Sequence, residues 1–398
     1  MDPAMKPTAT TSAKYDAPGL NLSERRFLSN IVLWSFVCRA VLAILLEWTD
    51  LSTRLAPDET TYEFGGRGLA RYWAGELFVM PLRFRMDQPL GYYYLNAVGY
   101  YLFGDSEIPL KLVNAFVGAF CCRYVYRLAR DLFGGAVATR ATRLYAFFPS
   151  LVLWSALNIR DVWVVFLILF VSWKSHQVLQ GYSHASLFGI VVGLYGVTHF
   201  RDYLFYVVSL PPLIAALIGR RGNLGRNVIL ALLLGIGVLI LIEGGAGRGA
   251  EQHMSLEALS EARRNLATGG SAFAEEVDIS TPGKALTFLP LGLAYFLFSP
   301  FPWQITSTLK LLSLPEMLLI YGYTMAALRG FRYIVTHRLR ECLQIVLLTG
   351  LLTTSYALGE GNVGTLYRHR AQVMVFFLMF AAVGIEVRST RAAKPVAA

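Results

Sequence analysis

Charged side chains are scarce: 16% of the 398 residues are Asp, Glu, Lys or Arg, while 55% are hydrophobic. Cysteine is scarcer still. Cys38, Cys121, Cys122 and Cys342 lie in or beside apolar runs, never in a long polar loop, which argues against a disulfide framework. Only six histidines occur, His199 and His253 stand alone, and no DxD motif is present, so a metal site is not indicated. The first apolar run lacks a small-residue cleavage site after it and reads as a retained anchor. No internal repeat is evident.

What is present is hydrophobic length. Apolar runs near the ~20 residues needed to cross a bilayer recur throughout the chain, which predicts an all-α, polytopic membrane protein. The net charge of +10 does not point to nucleic acid, because the basic residues sit in short connections between apolar runs. Residues 1–26 are expected to form a polar, disordered cytoplasmic N-terminus, 27–387 a transmembrane domain with external loops 48–107 and 243–311, and 388–398 a cytoplasmic tail.

Charge parity decides the topology. Arg25 and Arg26 place the N-terminus inside, and the first span runs from about Phe27 to Glu47. Arg123, Arg127, Arg130, Arg140 and Arg143 lie around one connection. If Leu90–Phe103 crossed the membrane, that connection would fall outside. If the run only dips into the outer leaflet, the connection falls inside, as the charge rule prefers. Leu286–Phe298 is treated in the same way. About ten spans plus two half-depth elements satisfy the rule throughout, whereas the alternative of twelve does not. Asp58–Trp73 reads as an amphipathic helix on the membrane surface, and Ser255–Leu266 as a short surface helix.

This topology gathers Asp58, Glu59, Arg160, Asp161, Arg201, Asp202, Glu360, Arg368, His369 and Arg370 at one external face. Arginines there run against the positive-inside bias, and an anionic ligand is a reason for them, since guanidinium binds phosphate in bidentate fashion. The bland alternative is local pairing: Arg160 with Asp161, Arg201 with Asp202, and Arg370 with Glu360. Asp58 and Glu59 could equally be the first turn of a capped helix. Arg39, inside the first span, would pair with a bundle carboxylate or hold a lipid phosphate. A carboxylate and an Arg/His cluster at a water–lipid boundary suit glycosyl transfer from a lipid phosphate, with Asp58 as general base.

The Asp58-Glu59 pair, Gln88-Pro89-Leu90-Gly-Tyr-Tyr-Tyr, Leu102-Phe-Gly-Asp-Ser106, Leu132-Phe-Gly134 and Phe148-Pro-Ser150 through Arg160-Asp161 together resemble the GT-C glycosyltransferases. The similarity is to the protein O-mannosyltransferase and lipid A aminoarabinose transferase group and covers roughly residues 28–175. The resemblance implies a polyprenyl-phosphate sugar donor and a glycan, lipid or protein acceptor outside the bacterial cytoplasmic membrane. Asp58 is the implied catalytic acid/base, Glu59 its partner and Asp161 a second acid; the Arg, His and Glu cluster is left for the lipid phosphate and sugar. The chain departs from the group in having Asp87-Gln88-Pro89 where His-Pro-Pro is common. With no large polar domain after the last span, acceptor recognition is expected to come from loops. A polysaccharide polymerase using undecaprenyl-diphosphate oligosaccharides and a non-enzymatic lipid-linked sugar flippase are the competing readings. The flippase would call for inverted repeats and midplane binding residues.

Overall fold

The computed structural model describes residues 19–49, 51–81, 89–181, 183–218, 224–243, 255–267, 271–305, 311 and 313–392. Asp87, Gln88, His253, the polar stretch up to residue 18 and the tail beyond residue 392 fall outside them. The described residues are helical, with no strand and a single bridge, Ala272 to Asn362.

α1 (Leu22–Trp48) starts in a capping box: the Asn21 side chain accepts from the Glu24 backbone N–H, and the Glu24 carboxylate accepts from that of Asn21. Its exposed face is apolar, with Leu33, Trp34, Val41 and Leu45, while its buried stripe contains Ser35 and Arg39. Apolar outside with polar groups turned inward is the arrangement a lipid solvent selects. Among the described residues, five helical stretches are long and apolar enough to cross a membrane: Leu22–Trp48, Ile108–Phe133, Asp161–Gln180, Leu314–Gly359 and Ala371–Thr390. His184–Phe200, Leu204–Ile218, Ala231–Glu243 and Pro282–Phe298 are shorter apolar helices.

Short elements link α1 to the next long helix. They are α2 (Ser52–Leu55), α3 (Asp58–Trp73) and α4 (Gly91–Phe103), followed by α5 (Ile108–Phe133). Lys111, at the start of α5, reaches Glu47, at the end of α1, over 2.5 Å. The chain between them therefore returns to the depth at which it left. α4 makes no net crossing and packs along α3, with Trp73 stacked on Tyr94.

α5 ends at Gly134, whose φ of 89° suits glycine, and the chain turns into α6 (Gly135–Phe147). Pro149 then breaks the helix, and α7 (Pro149–Ser155) continues in the same general run. Pro149 has no N–H to give to the preceding turn, so carbonyls near the end of α6 need other donors. Arg39 supplies them. Its Nη1 donates to the Ala146 carbonyl at 2.7 Å and to Ser35 Oγ, and its Nε donates to Ser155 Oγ at 2.8 Å. Among the described residues Arg39 pairs with no carboxylate, and it holds a helix break instead. Gly118 of α5 leaves the room, since a Cβ there would stand 3.0 Å from Arg39 Nε.

α8 (Asp161–Gln180), α9 (His184–Phe200), α10 (Leu204–Ile218) and α11 (Leu224–Glu243) follow, then α12 (Leu256–Leu266) and α13 (Pro282–Phe298). α14 (Leu314–Tyr333) passes through a π-helical turn at Ile334–Arg338 into α15 (Leu339–Gly359). α16 (Val363–His369) and α17 (Ala371–Ala392) complete the described chain. Tyr367 donates to Glu316 in the first turn of α14, and Glu360 caps the end of α15 close by. The start of α14 and the end of α15 therefore share one face of the bundle.

α14 and α17 approach backbone to backbone. A Cβ added at Gly330 or at Gly384 would stand 1.9 Å from a carbonyl oxygen of the other helix, Phe380 or Ala326. Small residues on both sides are what a lipid-embedded helix pair needs for close packing. Gly384→Val is expected to destabilise the chain by about 1–3 kcal/mol or more through overpacking. Gly322→Ala on α14, where a Cβ meets nothing within 4 Å, should leave detergent-phase thermal stability nearly unchanged.

Candidate active site

Asp161 opens α8, where the positive end of the helix dipole favours a carboxylate. Its side chain is almost wholly buried, and both oxygens are taken. Arg201 Nη2 donates to Oδ1 at 2.8 Å and Arg368 Nε donates to Oδ2 at 2.6 Å. Arg201 comes from the end of α9 and Arg368 from α16, so this carboxylate joins helices far apart in sequence. Arg201 also donates to the Tyr203 hydroxyl at 2.9 Å. Arg368 reaches in the opposite direction, its Nη1 donating to Asp58 Oδ2 at 2.6 Å. The result is one continuous row: Asp58, Arg368, Asp161, Arg201, Tyr203.

Asp58 is the accessible end of that row, with its side chain 55% exposed, against 1% for Asp161. Asp161, buried with a guanidinium on each oxygen, orients the two arginines around it. Asp58 is the acid of the row that is open to solvent. The Asp161 charge favours the protonated form of Arg368 over the opposing effect of burial, so the guanidinium stays charged. Arg160 precedes α8 and is half-buried; its Nε is buried without a hydrogen-bond partner among the described residues.

Glu59 is placed elsewhere. Adjacent helical residues point about 100° apart, and Glu59 turns into the bundle as Asp58 turns out. Its carboxylate accepts from the Asn158 backbone N–H and meets Lys111 Nζ at 3.4 Å. Burial raises its pKa, and Lys111 and the Asn158 N–H act against that rise. Asn158 accepts from the Tyr92 hydroxyl at 2.6 Å and donates to Asn96 at 2.8 Å. Asn114 donates to the Leu157 and Ile159 carbonyls, 2.7 and 3.1 Å away. These amides fix the connection that delivers Arg160 and Asp161.

On the far side of the row, Glu360 faces His369 Nδ1 and accepts from Thr365 Oγ1 at 2.6 Å. Burial lowers the His369 pKa, helped by the Arg201 charge and opposed by Glu360. Glu360 ionises more readily than usual: burial opposes this, but His369 and the Thr365 hydroxyl outweigh it.

The local pairs anticipated from sequence do not form. Arg201 pairs with Asp161 rather than Asp202, and Asp202 instead accepts from the Tyr203 backbone N–H. Arg370 is turned away from Glu360. It donates to the Ser299 and Leu297 carbonyls at the end of α13, with its guanidinium 5.4 Å from the Tyr367 ring centre. The structure thus brings Asp58, Asp161, Arg201 and Arg368 into contact and sets Glu360 and His369 beside them. It places Glu59, Asp202 and Arg370 off that row. Lys111 and Glu316, missed from sequence, are ionisable groups inside apolar helices, a signal that flags both.

Beside the site, a cavity of about 1060 Å³ runs between α3 and α4, lined by Thr60, Glu63, Arg67, Tyr100, Tyr101 and Asp105 among others. Its α3 lining, Thr60, Glu63 and Arg67, occupies the face of that helix turned away from Asp58.

Residues 87–243 match the family described as dolichyl-phosphate-mannose-protein mannosyltransferase. Among solved structures, the fold is similar to that of ArnT from Cupriavidus metallidurans, whose crystal structure is bound to undecaprenyl phosphate. The similarity has a TM-score of 0.50 at 15% identity and covers 88% of this chain and 60% of that one. No curated protein sequence matches significantly. The fold likeness and the match of residues 87–243 both agree with the resemblance carried by the motifs around Asp58 and Asp161.

Two measurements test this architecture. Asp161→Asn removes a buried ionic partner and is expected to cost about 3–5 kcal/mol of stability. Asp58→Asn, at the exposed end, should change stability by less than about 1 kcal/mol. Thermal unfolding of both variants in the same detergent separates the two roles. Glu107 gives a pH signature. Burial, reinforced by a hydrogen bond with Glu63 and opposed by Lys111, pushes its pKa from 4.5 up to about 7. Between those values the folded chain holds a proton that the unfolded chain has released, so stability contributed here falls as pH rises through the window. Glu107→Gln is expected to flatten the fall in Tm between pH 4.5 and 7.

Proposed function

We propose that this chain is an integral-membrane glycosyltransferase that moves a sugar from a polyprenyl-phosphate donor to a hydroxyl of an envelope glycan, lipid or protein on the extracytoplasmic face. The observation that carries this reading is Asp58: an exposed carboxylate bonded at 2.6 Å to a guanidinium that buried Asp161 holds in place. The match of residues 87–243 and the likeness to a structure bound to undecaprenyl phosphate support the reaction class.

Asp58 accepts the proton of the acceptor hydroxyl as its oxygen forms a bond to the anomeric carbon. The bond from that carbon to the donor phosphate oxygen breaks, and the electron pair leaves with the polyprenyl phosphate. Arg368 and Arg160 stabilise the charge that builds on that phosphate. Attack from the face opposite the leaving group inverts the anomeric configuration. Asp161 and Arg201 act through Arg368, holding it where it serves both phosphate and base.

Asp58→Asn is expected to lower transfer by at least about 10²-fold while expression stays normal. The readout is mass spectrometry of polyprenyl-linked sugars and envelope glycans in a deletion strain carrying either form. A missing glycan with accumulated monosaccharide-phosphate lipid is the expected outcome. Restoration of the wild-type profile by Asp58→Asn would overturn the assignment. Accumulation of a diphosphate-linked oligosaccharide would point instead to a polymerase.

A further inference from the structure

The opposite end of the bundle carries a group of cations that the proposed reaction does not use. α5 and α8 both begin at the candidate site, with Lys111 and Asp161 in their first turns. At 1.5 Å per residue, Arg127 lies ~29 Å along α5 and Lys174 ~20 Å along α8, near the other leaflet. Arg127 and Lys174 converge on one ring. The Arg127 guanidinium is 4.9 Å and Lys174 Nζ 4.7 Å from the centre of Trp173. Arg123, one turn before Arg127, lies 5.4 Å over Phe120.

Their neighbours show what is missing. On the same face Arg130 pairs with Glu24 at 2.7 Å, Arg140 with Glu386 at 2.8 Å, and Arg338 with Glu341. Among the described residues, Arg123, Arg127 and Lys174 have no such carboxylate ion pair. Asp131, one turn beyond Arg127, is the facing acid on α5, and Lys174 has only a 3.4 Å contact with the Gln177 amide oxygen. Cation–π contact eases the cost of holding these charges against aromatic surface, but it does not neutralise them. The Trp173 indole N–H is also buried without a hydrogen-bond partner among the described residues. From α9, Gly189 closes over the site: a Cβ there would lie 3.2 Å from the Lys174 stem, so the ammonium is directed rather than free to swing away.

The cations cap an aromatic wall. Phe116, Phe120 and Tyr124 on α5 interleave with Phe166, Phe170 and Trp173 on α8, with ring centres 5.7–6.4 Å apart. Phe116 is half exposed, so the wall borders lipid. Three cations without a carboxylate ion pair among the described residues, at a bilayer surface above a lipid-facing apolar wall, match an amphiphile with an anionic head.

We propose that this end of α5 and α8 binds an anionic phospholipid of the leaflet opposite the candidate site. Its phosphate lies among Arg123, Arg127 and Lys174, and its acyl chains lie along the aromatic wall. This assignment is independent of the catalytic reading.

The test uses the full-length protein purified in neutral detergent, with phosphatidylglycerol, phosphatidylcholine or inorganic phosphate added and lipid binding followed by native mass spectrometry and Tm. Phosphatidylglycerol is expected to bind and raise Tm, and phosphatidylcholine and phosphate at equal concentration are not. The double variant R127Q/K174Q should bind phosphatidylglycerol about 30-fold more weakly. Arg130→Gln, which removes a paired cation on the same face, should shift that affinity less than about threefold. Undiminished phosphatidylglycerol binding by the double variant would overturn the proposal. So would a phosphate effect equal to that of the lipid. If the double variant fails to fold, the charge-keeping R127K/K174R decides: a retained phosphatidylglycerol response supports the site, and preference for phosphatidylcholine in the wild type refutes it.

Discussion

Everything at the candidate site is anchored to one carboxylate sealed from water. An isolated ionised acid in such surroundings would be very costly, and Asp161 is tolerable only because a guanidinium sits on each oxygen. That requirement draws α9 and α16 onto the start of α8. It also fixes Arg368 so that its remaining nitrogens face outward, where Asp58 waits on a surface helix. A catalytic constellation has to be held to fractions of an ångström. Here rigidity comes from a buried ion cluster, and accessibility comes from a helix at its edge.

A second ionic cluster does similar work for α3. Lys111 is buried among Glu47, Glu59 and Glu107. One cation among three acids leaves a surplus of negative charge. The structure relieves it with the Asn158 N–H on Glu59 and with the proton that Glu107 retains more readily than usual. The N-terminus of α3, and Asp58 with it, is positioned by this arrangement against α1 and α5.

Much of the architecture was legible in the sequence, because membrane solvation writes strong signals. Long apolar runs named the class, and charge parity kept Leu90–Phe103 from being read as a crossing, which the Lys111–Glu47 contact accords with. The same parity gathered Asp58, Asp161, Arg201, Arg368 and His369, which the structure indeed draws to one face. Partner choice was not legible. Reading Arg201 with Asp202 assumed that neighbours in sequence are neighbours in space, but the end of α9 sends the two side chains in different directions. The resemblance implied Glu59 as the partner of Asp58, whereas helical rotation separates the two side chains. The Phe148-Pro149 break was visible as a motif, yet only the folded chain reveals that a side chain from α1 repairs it.

That repair has a consequence for the membrane itself. A helix interrupted within a bilayer exposes backbone carbonyls, and many broken helices satisfy them with water, which gives protons and small ions a foothold. In this chain the guanidinium of Arg39 occupies the gap, bonded to the Ala146 carbonyl and two serine hydroxyls and lying 5.8 Å from the Tyr145 ring centre. A fixed positive charge within a packed seam also repels cations. The break is thereby filled by a side chain from another helix, and its positive charge disfavours the entry of a cation there.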